Sequence, residues 1–266
     1  MTPNATINVS VSSHYREPSY ASEVTSQGIL GERVEILEHR PPFTRIRQAD
    51  SYESWISTDQ VYDGDAAEDE PGGTQVMVRS HFMRIYREPT TISDGLKDAV
   101  IGCSLTAIAE EGNWYKIMLA DGAVGWAEKR HFGSFPNFSP ENVVALAREF
   151  LGYQYCWGGR SPKGFDCSGF VQTVFLLHGI SLPRDAWQQQ RHNLLTRDYR
   201  QAQAADLLFF GKTPERVTHV AISLGNERFL HASGWVKYNS FRETDEDFSS
   251  HHLRTFISVN RYNIQG

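Results

Sequence analysis

The sequence predicts an α+β protein: two small all-β barrels followed by a compact domain of mixed helix and strand. Three observations point there. A segment of the N-terminal half recurs at one fixed offset. Both copies read as short strands broken by turn residues. The remainder opens on two helix starts and closes on an alternating strand and its return.

The repeat comes first. Tyr15-Arg16-Glu17-Pro18 returns as Tyr86-Arg87-Glu88-Pro89, an offset of 71 residues (86 − 15). The same offset carries Gly31 onto Gly102, Asp50 onto Asp121 and Trp55 onto Trp126. Such agreement indicates an internal duplication. In the second copy Val76-Met77-Val78, Leu105-Thr106-Ala107-Ile108-Ala109, the run from Trp114 to Leu119, and Gly125-Trp126-Ala127 are strand-like. Glu111-Gly112-Asn113 and Ala120-Asp121-Gly122 are the turns between them. Short strands packed this densely suggest a small barrel. The pattern Trp114-Tyr115-Lys116-Ile117, then Asp121-Gly122, then Gly125-Trp126 resembles bacterial SH3-like domains. The first copy is more divergent, with Ser54 where Gly125 stands. Residues 63–73, acidic and ending in Pro and Gly, read as a solvated linker. The expected domains are 1–70, 74–134 and 138–266, with the second boundary at 133–137.

Composition limits the function. Of 266 residues, 40% are hydrophobic and 12% aromatic, enough for buried cores and too apolar for a disordered chain. A net charge of −6, from 26 basic and 32 acidic residues, argues against a nucleic-acid partner. Three cysteines are an odd number, which excludes a disulfide scaffold and implies reduced thiols. The first residues lack an apolar core and a basic start. No apolar run approaches the ~20 residues that span a bilayer. No membrane insertion is expected, and the location expected is cytoplasmic, or periplasmic or a lipoprotein if a signal peptide has been removed.

The C-terminal part carries the chemistry. Ser139-Pro140-Glu141 is a helix start, with Ser as N-cap and Pro at the first helical position. Val143, Val144, Ala147, Phe150 and Leu151 then mark a buried face. Tyr155-Cys156-Trp157-Gly158-Gly159-Arg160 is a loop whose paired glycines allow close backbone approach. Asp166 reads as the N-cap of a second helix, carrying Phe170, Val171, Val174, Phe175 and Leu177 and ending near His178-Gly179. That places Cys167 in the first turn, where free N–H groups and the helix dipole lower a thiol's pKa and can hold an oxyanion. A cysteine there is either structural or a nucleophile, and a nucleophile needs a base.

Thr218–Leu224 alternates as a half-buried strand, with Val220, Ile222 and Leu224 on one face and His219 on the other. Gly225-Asn226 signals a hairpin, and Arg228-Phe229-Leu230-His231-Ala232 is the return strand. A turn centred on Gly225 sets His219 opposite His231, close enough for one imidazole to orient the other. A one-residue slip would separate them. Cys156, Cys167, His219 and His231 lack the paired spacing of a zinc site, so no metal and no cofactor is expected. Cys103 reads as a core strand residue. His14, His39, His81, His131, His178, His192 and the His251-His252 pair read as surface or loop residues.

These motifs match a known family. Tyr155-x-Trp157-Gly158-Gly159, Asp166-Cys167-Ser168-Gly169, Asp206-Leu207-Leu208-Phe209-Phe210, His219-Val220-Ala221-Ile222 and His231-Ala232-Ser233-Gly234 resemble the NlpC-type cell-wall peptidases over about residues 138–266. The resemblance implies a papain-like fold with Cys167 as nucleophile, His219 as base and His231 as the orienting third member. Tyr155 would polarise the scissile carbonyl. Trp157, Asp166 and Ser168 join the expected substrate-binding set. Together with the barrels, the chain resembles γ-D-glutamyl-L-diamino acid endopeptidases of murein peptide recycling, which require a free N-terminal L-alanine. In that group an Asp binds the alanine ammonium, here Asp185, and a Tyr and a Glu of the first barrel close the pocket, here Tyr52 and Glu17. Tyr52 stands where the second copy has Ala123, whereas Glu17 has its counterpart in Glu88. The expected partner is a murein peptide bound by a monomer. The alternatives are a peptidoglycan- or protein-binding module with a degenerate third domain, and an acyltransferase on the same scaffold.

Overall fold

The computed structural model describes residues 4–64, 72–191 and 193–262. Most of the expected linker, and His192, lie outside the described residues. The chain forms two compact units, Met1–Phe135 and Pro136–Gly266.

The N-terminal unit holds both repeats, each an antiparallel β-structure. Beyond the strands expected for the second copy, Phe82–Tyr86 and Gly95–Val100 form a hairpin that completes its six-stranded sheet. The duplicated residues do the same work twice. Tyr15 pairs with Trp55 as Tyr86 pairs with Trp126. Asp50 Oδ1 accepts from Tyr52 N at 3.0 Å, and Asp121 Oδ1 from Ala123 N at 3.0 Å, the same side-chain-stabilised turn. Gly31 and Gly102 sit at φ 84° and 87°.

The cores differ. The second barrel packs Met83, Ile85, Ala99, Cys103, Leu105, Ile117 and Leu119 together. At 71 residues earlier, the first barrel buries Ser12 for Met83, His14 for Ile85 and Gln48 for Leu119. His14, expected at the surface, is fully buried. Its ring bonds Ser12 Oγ at 3.0 Å, Gln48 Oε1 at 3.1 Å and Ser54 Oγ at 3.3 Å. Satisfied partners make a buried imidazole tolerable, so polarity alone did not mark it as exposed. Cys103 is core as expected, just ahead of its strand.

The C-terminal unit is a six-stranded sheet in the spatial order 194–196, 256–260, 204–211, 217–225, 228–233 and 235–240. Helix α1 (Pro140–Glu149) starts as expected, Ser139 Oγ accepting from Asn142 N at 3.2 Å. It buries Val143, Val144, Leu146 and Ala147, with Phe150 beyond its end. Leu151, expected on that face, is 38% exposed because the helix has ended and the chain turns. Helix α2 (Cys167–Leu176) is buried on every side from Cys167 to Phe175, as an apolar helix requires. It packs against the strand Val217–Gly225. That strand is not half-buried: Val220 to Ser223 are covered on both faces. Its other face carries Leu208, Phe210, Ala221, Phe229 and Phe241, with Leu253 of helix α4 (Ser250–Thr255) packed against them. His178, expected at the surface, is buried, with Nδ1 on Pro136 O at 2.8 Å.

Candidate active site

Asp166 caps α2 as its sequence position suggests, Oδ1 accepting from Gly169 N at 2.7 Å. Cys167 is therefore the first helical residue, and it is 8% exposed. The expected lowering of its pKa does not follow. Burial pushes the thiol up to about 12, and the neighbouring Asp166 carboxylate adds to this. The N–H groups of Val220 and Ser168 and the Arg184 guanidinium pull the other way without prevailing.

The loop before the helix is folded onto it. Tyr155 N donates to Gly234 O at 2.9 Å, Cys156 N to Phe165 O at 3.0 Å and Asp166 N to Gly159 O at 2.9 Å. The paired glycines have a clear use. A Cβ on Gly159 would meet Gly164 O at 2.1 Å, and one on Gly169 would meet Gly159 O at 2.1 Å, so loop and helix touch backbone to backbone. Tyr155 lies beside the helix start. Burial raises its phenol first, and the Cys167 and Asp166 charges raise it further, so it stays protonated as a donor. Trp157 is 62% exposed on this loop and is not a core residue. Cys156 contacts Trp157 O at 3.7 Å and has no helix start of its own.

Asp166 has a partner that sequence reasoning missed. Arg184, 1% exposed, reaches it through Nη2–Oδ2 at 2.5 Å and Nη1–Oδ1 at 3.1 Å, and donates to Ser168 Oγ at 3.0 Å. Gly158 N also donates to Asp166 Oδ2 at 3.0 Å. The carboxylate is engaged on both oxygens by the protein itself, and Ser168 belongs to the same network. Nothing local in Leu182-Pro183-Arg184-Asp185 shows that the arginine turns inward. Asp185 caps helix α3 (Ala186–Gln190), with Gln188 Oε1 accepting from Asp185 N at 3.0 Å in a capping box.

The histidines meet, by a different register from the one expected. Asn226 and Glu227 form the two-residue turn, at φ 51° and 64°, and Gly225 pairs with Arg228 next to a bulge. Ile222 pairs with Leu230, so His219 is offset from His231 along the ladder, not opposite it. The imidazoles span that diagonal, with His219 Nε2 and His231 Nδ1 2.7 Å apart. The paired ladder ends at Ile222–Leu230, before His219 is reached. Burial lowers His219 well below the usual histidine range, and the neighbouring His231, His252, His251 and Lys237 add to this. Burial likewise takes His231 down to about 3 and His252 down to about 4.

His252, expected as a surface residue, packs edge-on against His231 at 4.7 Å between ring centroids. A ring nitrogen from each of His219, His231 and His252 lies within 4.8 Å of the other two, the only such set found among the described residues. Neither cysteine of the zinc reading weighed from sequence belongs to that set. Tyr52 and Glu17 lie in the N-terminal unit, Tyr52 partly buried after its Asp50 turn and Glu17 exposed.

Both units of the chain have counterparts among known proteins. The NlpC/P60 family model matches residues 152–257, and the bacterial dipeptidyl-peptidase Sh3 domain matches residues 14–61, the more divergent copy. The chain is 26% identical over 228 residues to a gamma-D-glutamyl-L-lysine dipeptidyl-peptidase of Bacillus cereus, covering 80% of this chain and 68% of the relative. It is 27% identical over 245 residues to dipeptidyl-peptidase 6 of Lysinibacillus sphaericus, covering 86% and 88%. An NlpC/P60 family crystal structure from Bacillus cereus shares the fold at a TM-score of 0.84 and 20% identity, over 97% of this chain and 99% of the other. With these matches, the chain is a cysteine peptidase that carries an NlpC/P60 domain of papain-like fold over residues 152–257 and a bacterial dipeptidyl-peptidase SH3 domain over residues 14–61.

Proposed function

We propose that this chain hydrolyses the γ-D-glutamyl–diamino acid bond of murein stem peptides that carry a free N-terminal L-alanine, and that it serves murein peptide recycling. The observation that carries the reading is Cys167 at the start of a capped, buried helix that packs on the two strands bearing the bonded His219–His231 pair. The names of the relatives of Bacillus cereus and Lysinibacillus sphaericus support the substrate class.

The resting pair is neutral, because burial disfavours both the thiolate and the imidazolium. With substrate bound, the Cys167 proton passes to His219 as Sγ attacks the γ-carbonyl carbon. The oxyanion accepts from the Tyr155 hydroxyl and from first-turn N–H groups of α2. Collapse breaks the C–N bond, and His219 protonates the departing α-amine of the diamino acid. Water, deprotonated by His219, then attacks the thioester, which releases the L-Ala-D-Glu acyl part and restores the thiol. His231 holds the His219 ring throughout. Asp185 binds the alanine ammonium, to which a carboxylate offers charge and acceptors.

The test compares L-Ala-γ-D-Glu-diaminopimelate with its N-acetylated form. The free peptide is cleaved and the blocked one is not. Equal turnover of both overturns the alanine requirement. Binding to wall sacculi with no hydrolysis of either peptide overturns the peptide-hydrolase reading and favours a binding module.

A further inference from the structure

The hydrogen bonds around His231 continue to a residue that neither the sequence motifs nor the mechanism uses. Asn239 lies on the strand Trp235–Ser240, next to the His231 strand. Its Nδ2 donates to Asp247 O at 2.7 Å. A carbonyl only accepts, so this bond fixes which end of the amide is which. Asp247 is itself held, its carbonyl also accepting from Ser240 N at 3.0 Å and its Oδ2 from Arg228 at 2.7 Å. The Asn239 Oδ1 therefore faces His231 Nε2, at 2.9 Å. An amide oxygen only accepts, so His231 Nε2 carries a hydrogen.

A neutral imidazole has one N–H. His231 Nδ1 is then a bare acceptor, and its partner 2.7 Å away, His219 Nε2, must be the donor. That leaves the lone pair of His219 on Nδ1. We propose that Asn239 is a positioning residue that sets the tautomer of His231 and, through it, presents His219 Nδ1 as the base. The inference about catalysis rests on the proposed role of His219, whereas the tautomers themselves do not. His252 stands outside this proton chain, because its Nδ1 is bonded to Ser249 Oγ at 2.7 Å. The charged and titratable groups around the pair are His251, His252 and Lys237.

Two-bond ¹⁵N–¹H correlations of the histidine rings in the full chain, near neutral pH, read the tautomers directly. Both His219 and His231 are expected as Nε2–H. In Asn239→Leu the His231 signal should move toward a tautomer mixture, and kcat should fall about 10- to 100-fold with KM unchanged. Asn239→Asp keeps the acceptor and adds a negative charge. It should retain the Nε2–H tautomers and move the acid limb of the kcat profile to higher pH, because the charge favours imidazolium. A merely structural asparagine would leave that limb unmoved. If Asn239→Leu does not fold, Asn239→Asp still decides. His231 found as Nδ1–H in the wild type, or a tautomer unaltered in Asn239→Leu, overturns the inference. A wild-type chain with these tautomers but no peptide cleavage would instead overturn the proposed function alone.

Discussion

Two regions of this protein bury histidine in a hydrogen-bonded cluster, and only one of them leads to a reactive atom. In the first barrel His14 is enclosed by Ser12, Gln48 and Ser54. Gln48 Nε2 in turn donates to Glu32 at 2.7 Å and to Gln27 O at 3.1 Å. The second barrel builds the same fold with Ile85 and Leu119 at the matching places. In the C-terminal unit the His219–His231 pair stands on the two strands against which the helix of Cys167 packs. A buried imidazole is thus no sign of chemistry by itself. What separates the two clusters is what lies beside them, a filled barrel core or the helix that starts with Cys167.

The sharpest break of that contrast is Cys167→Ala. Cleavage should fall by about 10⁴-fold or more while the unfolding transition stays within a few degrees, as judged by peptide assay and calorimetry. Appreciable turnover would place the chemistry elsewhere. Next in size is Arg184→Met. It strands a carboxylate whose side chain is only 11% exposed, and should destabilise the C-terminal unit by about 3–5 kcal/mol in denaturant titration. His14→Ala should cost about 2–3 kcal/mol, with peptide cleavage at saturating substrate retained under folding conditions. The double change His14→Ile with Gln48→Leu copies the second barrel and should be much less harmful than the two single changes summed. Strict additivity would mean that the polar cluster has no internal coupling.

The smallest effect is on pH dependence. His231 and His252 fall to about 3 and about 4 in the folded chain, against roughly 6.5 unfolded. Between those values the unfolded chain binds more protons, so stability is full above about 6.5 and is lost as pH falls through that window. The depressed His219 should also keep the acid limb of activity below 6.5. A limb at or above 6.5 would mean that substrate or solvent restores the imidazolium.

How much was legible in the sequence follows the range of each interaction. The duplication, the Ser139 and Asp166 caps and the helix-start cysteine depend on neighbours in the chain, and the structure has each of them. The histidine pair was legible as a pair, but its register was not. The positive φ of Asn226 and Glu227 moved the turn by one place, and the rings met on a diagonal. The thiol's direction of shift was misjudged because the helix terminus is a local effect, whereas its burial comes from α2 being covered on every side. Arg184, Asn239 and His252 are joined to the site by contacts between different elements, 8 to 21 residues apart in sequence. Only the paired carboxylate and carbonyl oxygens of the first two, and the packing of the third on His231, seen in place, identify them.

The contact of Gly169 on Gly159 has a consequence for descent and design. At that point there is no room for even one additional carbon, so the helix cannot gain bulk unless the loop yields its backbone. Trp157-Gly158-Gly159 and Asp166-Cys167-Ser168-Gly169 are separate words in the sequence but one mechanical part in the fold. They must be inherited together, and anyone transplanting the nucleophile to a new scaffold has to carry the loop with it.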